Sequence, residues 1–133
     1  MRTWLAATLL VALIPAGGAG PAGAVTFEEA KIMAGEALFQ KECRRCHAAD
    51  ADHETYGPPL VGVIGRQAGT YPGYEYSDAL RNSGIVWTPA ALRAWMEDNK
   101  GFMPGTKMRH VGIDDPVVQA FILSYIAAIS TPQ

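Results

Sequence analysis

The sequence predicts an all-α domain of three to five helices joined by long loops. Helix-start signals at Thr26, Thr88 and Asp115 each precede apolar residues at helical spacing, and no segment alternates apolar and polar residues as a strand does. Residues 48–87 contain turn-forming glycines and prolines in place of a long periodic segment. Because so long a loop region is unusual inside a compact domain, we expect a non-protein group to fill part of the core.

The first predicted helix runs from about Phe27 to Lys41. Thr26 and Glu29 have the capping-box spacing, in which each residue bonds the backbone of the other. Gly35 lies inside this helix, where glycine costs roughly 1 kcal/mol relative to alanine. We therefore expect another backbone to pass close to Gly35.

Further helices are predicted in the second half of the chain. A short one lies near Ser77–Asn82, and the Thr88-Pro89 pair begins another that reaches about Asp98 and is closed by Gly101. The last helix follows Asp114-Asp115-Pro116 and has an apolar face formed by Val117, Val118, Phe121, Ile122, Tyr125, Ile126 and Ile129.

The N-terminal residues have the pattern of a cleaved export signal. Arg2 precedes an apolar run from Trp4 to Ile14, and Ala22-Gly23-Ala24 has the small-x-small form of a cleavage site. As a helix the run would be roughly 16 Å long, well short of the roughly 30 Å hydrocarbon core of a bilayer. We expect residues 1–24 to be removed, leaving a domain of residues 25–133 in the periplasm with no stable membrane insertion.

Charge and cysteine content exclude several classes of protein. The chain has 11 Lys+Arg and 13 Asp+Glu, a formal charge of −2, and loss of Arg2 would leave 10 against 13, or −3. A nucleic-acid-binding domain would need a basic excess. Two cysteines are too few for a disulfide scaffold, so they need another explanation.

Cys43-Arg44-Arg45-Cys46-His47 has the C-x-x-C-H form of a c-type haem attachment site. Two thiols three residues apart can each bond one vinyl group on the same porphyrin edge. The histidine that follows can then present its Nε2 to the iron. The segment therefore predicts one haem c, held by Cys43 and Cys46 and ligated by His47.

Other interpretations of the two cysteines are weaker. A thioredoxin-like dithiol requires a βαβ setting, and no strand pattern precedes Cys43. A zinc site would have to recruit His53 and His110, which are isolated, whereas structural zinc has a second tight ligand pair. A disulfide between cysteines three residues apart would close a small, strained loop.

Further segments accompany C-x-x-C-H along the chain, namely Gly35-x-x-x-Phe39, Gly57-Pro58-x-Leu60-x-Gly62, Gly65-Arg66-x-Ala68-Gly69, Gly73-Tyr74-x-Tyr76-Ser77-x-Ala79, Gly84-Ile85-x-Trp87 and Phe102-x-Pro104-Gly105-Thr106-Lys107-Met108. Together they resemble the class I cytochromes c of mitochondrial and soluble bacterial type over almost the whole mature chain. The resemblance implies the cytochrome c fold around one covalent haem. It also implies that Gly35, Phe39, Ile122 and Tyr125 lie where the first and last helices cross.

The second axial ligand of the iron must be His, Met or Lys, if there is one. A thioether needs no deprotonation and its soft sulfur suits reduced iron. The resemblance implies Met108 for this position. Lys107 and His110 are the alternative ligands that the chain offers. The resemblance also implies that the Pro58 carbonyl accepts a hydrogen bond from His47 and that Thr106 holds the loop of Met108. The haem propionates would be bound by Arg66, Tyr76 and Trp87.

The chain departs from the family pattern near the iron and at the docking face. Trp95 replaces a buried tyrosine beside the ligating methionine, and Leu80 replaces an asparagine that organises a buried water. At the docking face Lys100 and Lys107 remain, but His110 replaces an aromatic residue. Other positions there are acidic, namely Glu42, Asp114 and Asp115. Steering by a uniformly basic face is therefore not expected.

These features predict a single-haem electron-transfer protein that is not an enzyme and that exchanges one electron with redox partner proteins. Those partners would be a membrane complex, a reductase, an oxidase or a dehydrogenase. One alternative is a cytochrome subunit of a periplasmic dehydrogenase complex, which the mixed docking charges leave open. Another is catalysis or gas binding at an open iron, which would require that Met108 not bind it.

Overall fold

The computed structural model describes residues 23–47 and 56–131. Helices α1 to α5 of this part of the chain are, in order, Phe27–Glu42, Asp78–Arg81, Pro89–Glu97, Asn99–Phe102 and Pro116–Ala128. Over the same residues no strand forms, and the only extended pairing is an isolated antiparallel bridge between Gln67 and Val86. The prediction of an all-α fold is confirmed.

The helices begin where their capping residues predict. At the start of α1, the Glu29 N–H donates to Thr26 Oγ1 over 3.2 Å and the Thr26 N–H donates to Glu29 Oε2 over 2.7 Å. Thr88 Oγ1 accepts from the Ala91 N–H at the start of α3, and Asp115 Oδ1 accepts from the Val117 N–H at the start of α5. Local sequence therefore fixes these three starting points.

The prediction that Gly101 closes the third helix is wrong. Helix α3 ends at Glu97, and the chain restarts as α4, which contains Gly101. Asp98 causes the restart, because its extended backbone ends α3 while its Oδ1 accepts from the Gly101 N–H over 2.9 Å. The same residue is the C-cap of one helix and the N-cap of the next.

Helices α1 and α5 cross at Gly35. A methyl group on Gly35 would overlap the backbone carbonyl of Phe121, so only glycine allows this approach. Beside the crossing, the rings of Phe39 and Tyr125 lie 5.2 Å apart, and Ile122 is fully buried. The close passage of another backbone expected from Gly35 is thus present.

Backbone hydrogen bonds that the sequence pattern does not predict hold the long loops in place. Gly65 N–H donates to Trp87 O over 2.8 Å, Trp87 N–H to Arg66 O over 2.9 Å, and Ala68 N–H to Ile85 O over 2.7 Å. These bonds fasten the segment after Pro58 to the segment that leads into α3. Both segments thereby contribute buried side chains to one core, including Val63 and Trp87.

Two sequence predictions fall largely or wholly outside the described residues. Most of the predicted export signal, residues 1–22, is among them, as is His53. Within residues 23–47 and 56–131, no helix is both long enough and apolar enough to cross a bilayer.

Candidate functional site

The turn after α1 brings both cysteines and the histidine together. Cys43 is the C-cap of α1, and its N–H donates to Phe39 O. The N–H groups of Cys46 and His47 then both donate to Cys43 O, over 3.0 and 2.8 Å. A single tight turn therefore displays two thiols and one imidazole, as attachment of a porphyrin along one edge requires.

The two thiols differ in exposure. Cys43 is half-buried and Cys46 is exposed, and no disulfide joins them. Burial raises the pKa of the Cys43 thiol to about 12, with smaller contributions from the charges of Glu42 and Cys46. The Cys43 thiol is thus neutral in this folded form.

The His47 ring is oriented by the backbone of the next described segment. Its Nδ1 lies 2.9 Å from Pro58 O. A carbonyl oxygen can only accept, so Nδ1 carries the hydrogen and Nε2 keeps its lone pair for a metal. Burial lowers the pKa of His47, which favours the neutral form that a metal ligand needs, although the Pro58 carbonyl raises that pKa in opposition.

Gly57 makes room for this ring. A methyl group at this buried position would overlap the imidazole of His47. The Gly57 N–H donates to Cys46 O over 2.8 Å, which ties the Gly57-Pro58 segment to the cysteine turn. The sequence pattern contains Gly57, but only the structure shows that it packs against His47.

Met108 receives a hydrogen bond from α3. The indole Nε1 of Trp95 lies 2.9 Å from the Met108 sulfur, and an indole N–H can only donate. The Met108 N–H donates to Thr106 Oγ1 over 3.3 Å, and the buried Thr106 donates its own N–H to Met103 O over 3.2 Å. Thr106 therefore holds the Met108 segment locally, and Trp95 directs the sulfur.

An electrostatic interaction links the His47 ring to the Met108 segment. His110 follows Met108 by two residues, and its charge lowers the pKa of His47. Lys107, one of the alternative ligands, uses its Nζ to donate to Glu75 O over 2.7 Å. In this structure the lysine therefore ties the Met108 segment to the loop before α2.

The residues expected near the propionates lie in one aromatic and basic region. Arg66 donates to Pro59 O and Val61 O over 3.1 and 3.2 Å, and its guanidinium lies 5.0 Å from the centre of the Tyr71 ring. Burial lowers the pKa of Arg66 and raises that of Tyr76. Arg66 thus braces the loop that carries the Pro58 carbonyl.

Trp87 packs deeper in the molecule. Its ring meets that of Trp95 edge to face at 5.1 Å, and the Trp95 ring meets that of Phe102 at 6.0 Å. An aromatic row therefore runs from Trp87 to the tryptophan that contacts Met108. The sequence pattern shows these aromatic residues but not their order in space.

Two buried polar residues were missed in the sequence. Gln119, on α5, donates from its Nε2 to Ile113 O over 2.5 Å and is 2% exposed. Asn99, at the start of α4, is 1% exposed. Gln119 is a lone amide among apolar residues, which by itself does not distinguish a buried polar group from a surface one, whereas Asn99 lies between charged residues and nothing in the sequence indicates its burial.

The residues present fit a covalently attached haem with two axial ligands. The cysteines lie on one turn, Nε2 of His47 is free to bind a metal, and the Met108 sulfur is held by Trp95 in the adjacent segment. Gly57 leaves space for the imidazole where any larger residue would displace it.

Comparison with known proteins agrees with this chemistry. A family model described as cytochrome c matches residues 32–128. Cytochrome c2 of Rhodopila globiformis is 42% identical over 95 residues, which are 71% of this chain and 90% of that protein. Cytochrome c of Sesamum indicum is 37% identical over 106 residues, covering 76% of this chain and 95% of that protein.

A solved structure gives the same result for the fold. Cytochrome cH from Methylobacterium extorquens superposes with a TM-score of 0.67 at 41% identity, covering 73% of this chain and 97% of that one. Since the sequence matches span most of the chain and the solved relative shares its helical architecture, the chain belongs to the class I c-type cytochromes, which carry one covalent haem c and transfer electrons.

Proposed function

We propose that Cys43 and Cys46 form the two thioether bonds to the haem, and that His47 and Met108 bind its iron from opposite faces. The observation that carries this proposal is the pair of oriented ligands, with His47 fixed by the Pro58 carbonyl and Met108 by the Trp95 indole. When bound, the haem supplies an iron that alternates between the ferric and ferrous states. The protein's own residues keep both ligands in place so that little rearranges when the electron arrives.

The supporting residues act on the ligands and on the haem carboxylates. The Pro58 carbonyl fixes the tautomer of His47 and increases its basicity. Thr106 restrains the backbone of Met108. We propose that Arg66, Tyr76 and Trp87 stabilise the propionates, since buried carboxylates need donors and each of these side chains offers an N–H or O–H group.

The spectroscopic test compares Met108, which is half-buried, with Met103, a buried methionine of the same segment. Replacing Met108 by leucine should abolish the weak thioether-to-iron band at the red end of the oxidised spectrum. It should also lower the midpoint potential by more than about 59 mV, a tenfold change for a one-electron couple. Met103→Leu should keep the band. A band that survives in the Met108 variant would mean that another residue binds the iron.

The covalent attachment has its own test. A pyridine haemochrome spectrum should show two saturated vinyl positions, and acid–acetone should leave the pigment on the protein. Replacing Cys43 or Cys46 by alanine should shift the haemochrome band to that of a single thioether. Pigment that acid–acetone removes from the unaltered protein would overturn the assignment of both cysteines.

With both axial positions filled, the protein would act as an electron carrier and not as an enzyme. Carbon monoxide should bind the reduced protein slowly and incompletely at neutral pH, because it must displace Met108. Rapid, complete binding would instead indicate an open iron and a catalytic or gas-binding role.

We propose that the carrier works in the periplasm after removal of residues 1–24. The support is the pattern of Arg2, the apolar run and Ala22-Gly23-Ala24, together with the start of α1 at Phe27, shortly after the cleavage site. N-terminal sequencing of the native protein should give Val25. A retained N-terminus would contradict this proposal.

Its redox partners would include a membrane complex on one side and a reductase, oxidase or dehydrogenase on the other. A diffusible carrier should elute near its own mass when native periplasmic extract is passed through a size-exclusion column. Elution together with a larger dehydrogenase would favour the alternative function, a permanent cytochrome subunit of a dehydrogenase complex.

A further inference from the structure

The side chain of Asn99 is buried without a hydrogen-bond partner in the structure. It is 1% exposed, and within the described part of the chain neither Nδ2 nor Oδ1 has a donor or acceptor within reach. Of the buried side-chain polar atoms described, these two are the only ones left in this state. Buried polar groups in native proteins are almost always satisfied by protein or by ordered water.

The local helix geometry does not explain why an amide stands here. The neighbouring Asp98 already caps α4, accepting from the Gly101 N–H over 2.9 Å. The backbone carbonyl of Asn99 accepts from the Met103 N–H over 3.1 Å. The cap of α4 and the Asn99 carbonyl are therefore satisfied without the Asn99 side chain, which still offers two donors and one acceptor oxygen.

The two buried side chains one helical turn before and after Asn99 do not satisfy it. Trp95 and Met103, four residues before and after Asn99, are both buried. The single N–H of the Trp95 side chain is committed to the sulfur of Met108. The Met103 side chain has only a weakly accepting sulfur. Within the described residues, therefore, no group accepts from Nδ2 or donates to Oδ1, and a molecule that can do both would satisfy the amide.

We propose that Asn99 binds an ordered water molecule at the junction of α3 and α4. Water is small, donates and accepts, and is the usual partner of an otherwise unsatisfied buried group. The water would help to anchor the segment that leads to Met108, because Asn99 is the first residue of a chain of backbone hydrogen bonds. Its carbonyl accepts from the Met103 N–H, and the Met103 carbonyl accepts from the Thr106 N–H. The inference is independent of which residue binds the iron.

A high-resolution crystal structure of the haem-loaded protein tests the proposal directly. We expect one well-ordered water within hydrogen-bond distance of an Asn99 amide atom and of at least one other polar atom. An amide enclosed only by carbon atoms, or bonded to a haem propionate or to a protein group, would overturn it.

A pair of variants gives a second, independent test in solution. In Asn99→Leu the water loses its anchor, so the equilibrium constant for unfolding of the haem-loaded protein should rise roughly 5- to 30-fold. The matched control is Asn82→Leu, at an exposed amide after α2, which should change that constant much less. If the site were dry, Asn99→Leu would remove an unsatisfied group and the constant would fall, which would refute the proposal.

Discussion

The indole of Trp95 supplies a hydrogen bond to the Met108 sulfur over 2.9 Å. An N–H that points at a thioether withdraws electron density from it. With Met108 on the iron, as proposed, that withdrawal weakens electron donation to the ferric ion more than to the ferrous ion. Trp95 therefore favours the reduced state, in addition to fixing the position of the sulfur.

Replacing Trp95 by phenylalanine keeps an aromatic ring and removes the donor. We expect the midpoint potential to fall by roughly 20–60 mV, up to about one tenfold change in a one-electron equilibrium constant. Direct voltammetry of the haem-loaded protein measures this change in midpoint potential. Phe102→Leu is the control, since Phe102 packs against the Trp95 ring but gives no hydrogen bond to sulfur. Equal shifts in the two variants would assign the effect to packing.

Single residues differ in how much the sequence reveals about them. The spacing of Cys43, Cys46 and His47 indicates the chemistry, because few other uses of that spacing exist. The partner of Met108 could not be predicted, since the direction of a tryptophan N–H depends on how α3 packs. Asn99 gave no signal at all, because burial of a lone amide is a tertiary property.

At the element scale, α1 and α5 approach each other closely where they cross at Gly35. There a β-carbon would overlap a backbone carbonyl, which cannot move aside as a flexible side chain can. We expect Gly35→Ala to lower the free energy of unfolding by about 3 kcal/mol, the upper part of the range for overpacking. Denaturant titration followed by far-UV circular dichroism measures the change. Glu36→Ala, at the adjacent exposed position, should change stability little.

Helix α5 also holds the far end of the Met108 segment. Gln119 donates to Ile113 O, and the Ile113 N–H donates to Met96 O over 2.8 Å. In Gln119→Leu the buried carbonyl loses its donor, which should cost about 1–3 kcal/mol. The thioether band should then disappear at lower denaturant than the helical signal does.

Ser124→Ala on the same helix serves as the control for that experiment. The Ser124 hydroxyl bonds only within α5, to Ala120 O, so its loss should leave the two transitions together. Simultaneous loss of band and helix in the Gln119 variant would show that this amide does not restrain the Met108 segment.

Helix starts were predictable because capping is local. Thr26, Thr88 and Asp115 each bond a backbone N–H two or three residues later, and the sequence contains that relation directly. The end of α3 was misjudged because Asp98 interrupts the helix before Gly101 and starts a new one. The hydrogen bonds between residues 65–68 and 85–87 join backbone atoms. They could not be predicted, because such pairing does not depend on which side chains the residues carry.

For the molecule as a whole, charge is close to balanced and is mixed around the proposed docking face. The resemblance places Lys100 and Lys107 at that face together with Glu42, Asp114 and Asp115, so we expect long-range steering to be weak. We expect the rate of oxidation by ferricyanide to change less than about tenfold between low and physiological ionic strength. Stopped-flow absorbance follows the reaction.

The comparison protein for that measurement carries Glu42→Lys and Asp114→Lys. Asp115 is kept because it caps α5. Adding positive charge should make the rate with this anionic oxidant faster at low salt and steeper in its salt dependence. An equally steep response in the unaltered protein would show that its face is effectively basic.

At this scale the fold class followed from the helix pattern, and the need for a non-protein core group followed from the long loops. The identity of that group as haem could be predicted from the spacing of Cys43, Cys46 and His47. The relative placement of α1, α5 and the Met108 segment could not, since it depends on side chains meeting across long separations in sequence.

Val111 is 98% exposed, although the segment around it is fixed on one side by Thr106 and on the other by Ile113. A substitution at Val111 therefore disturbs neither anchor. The exposed surface at this position can therefore change while the hydrogen bonds that hold the Met108 segment stay intact. Relatives can thus differ at position 111 without differing in how Met108 is held.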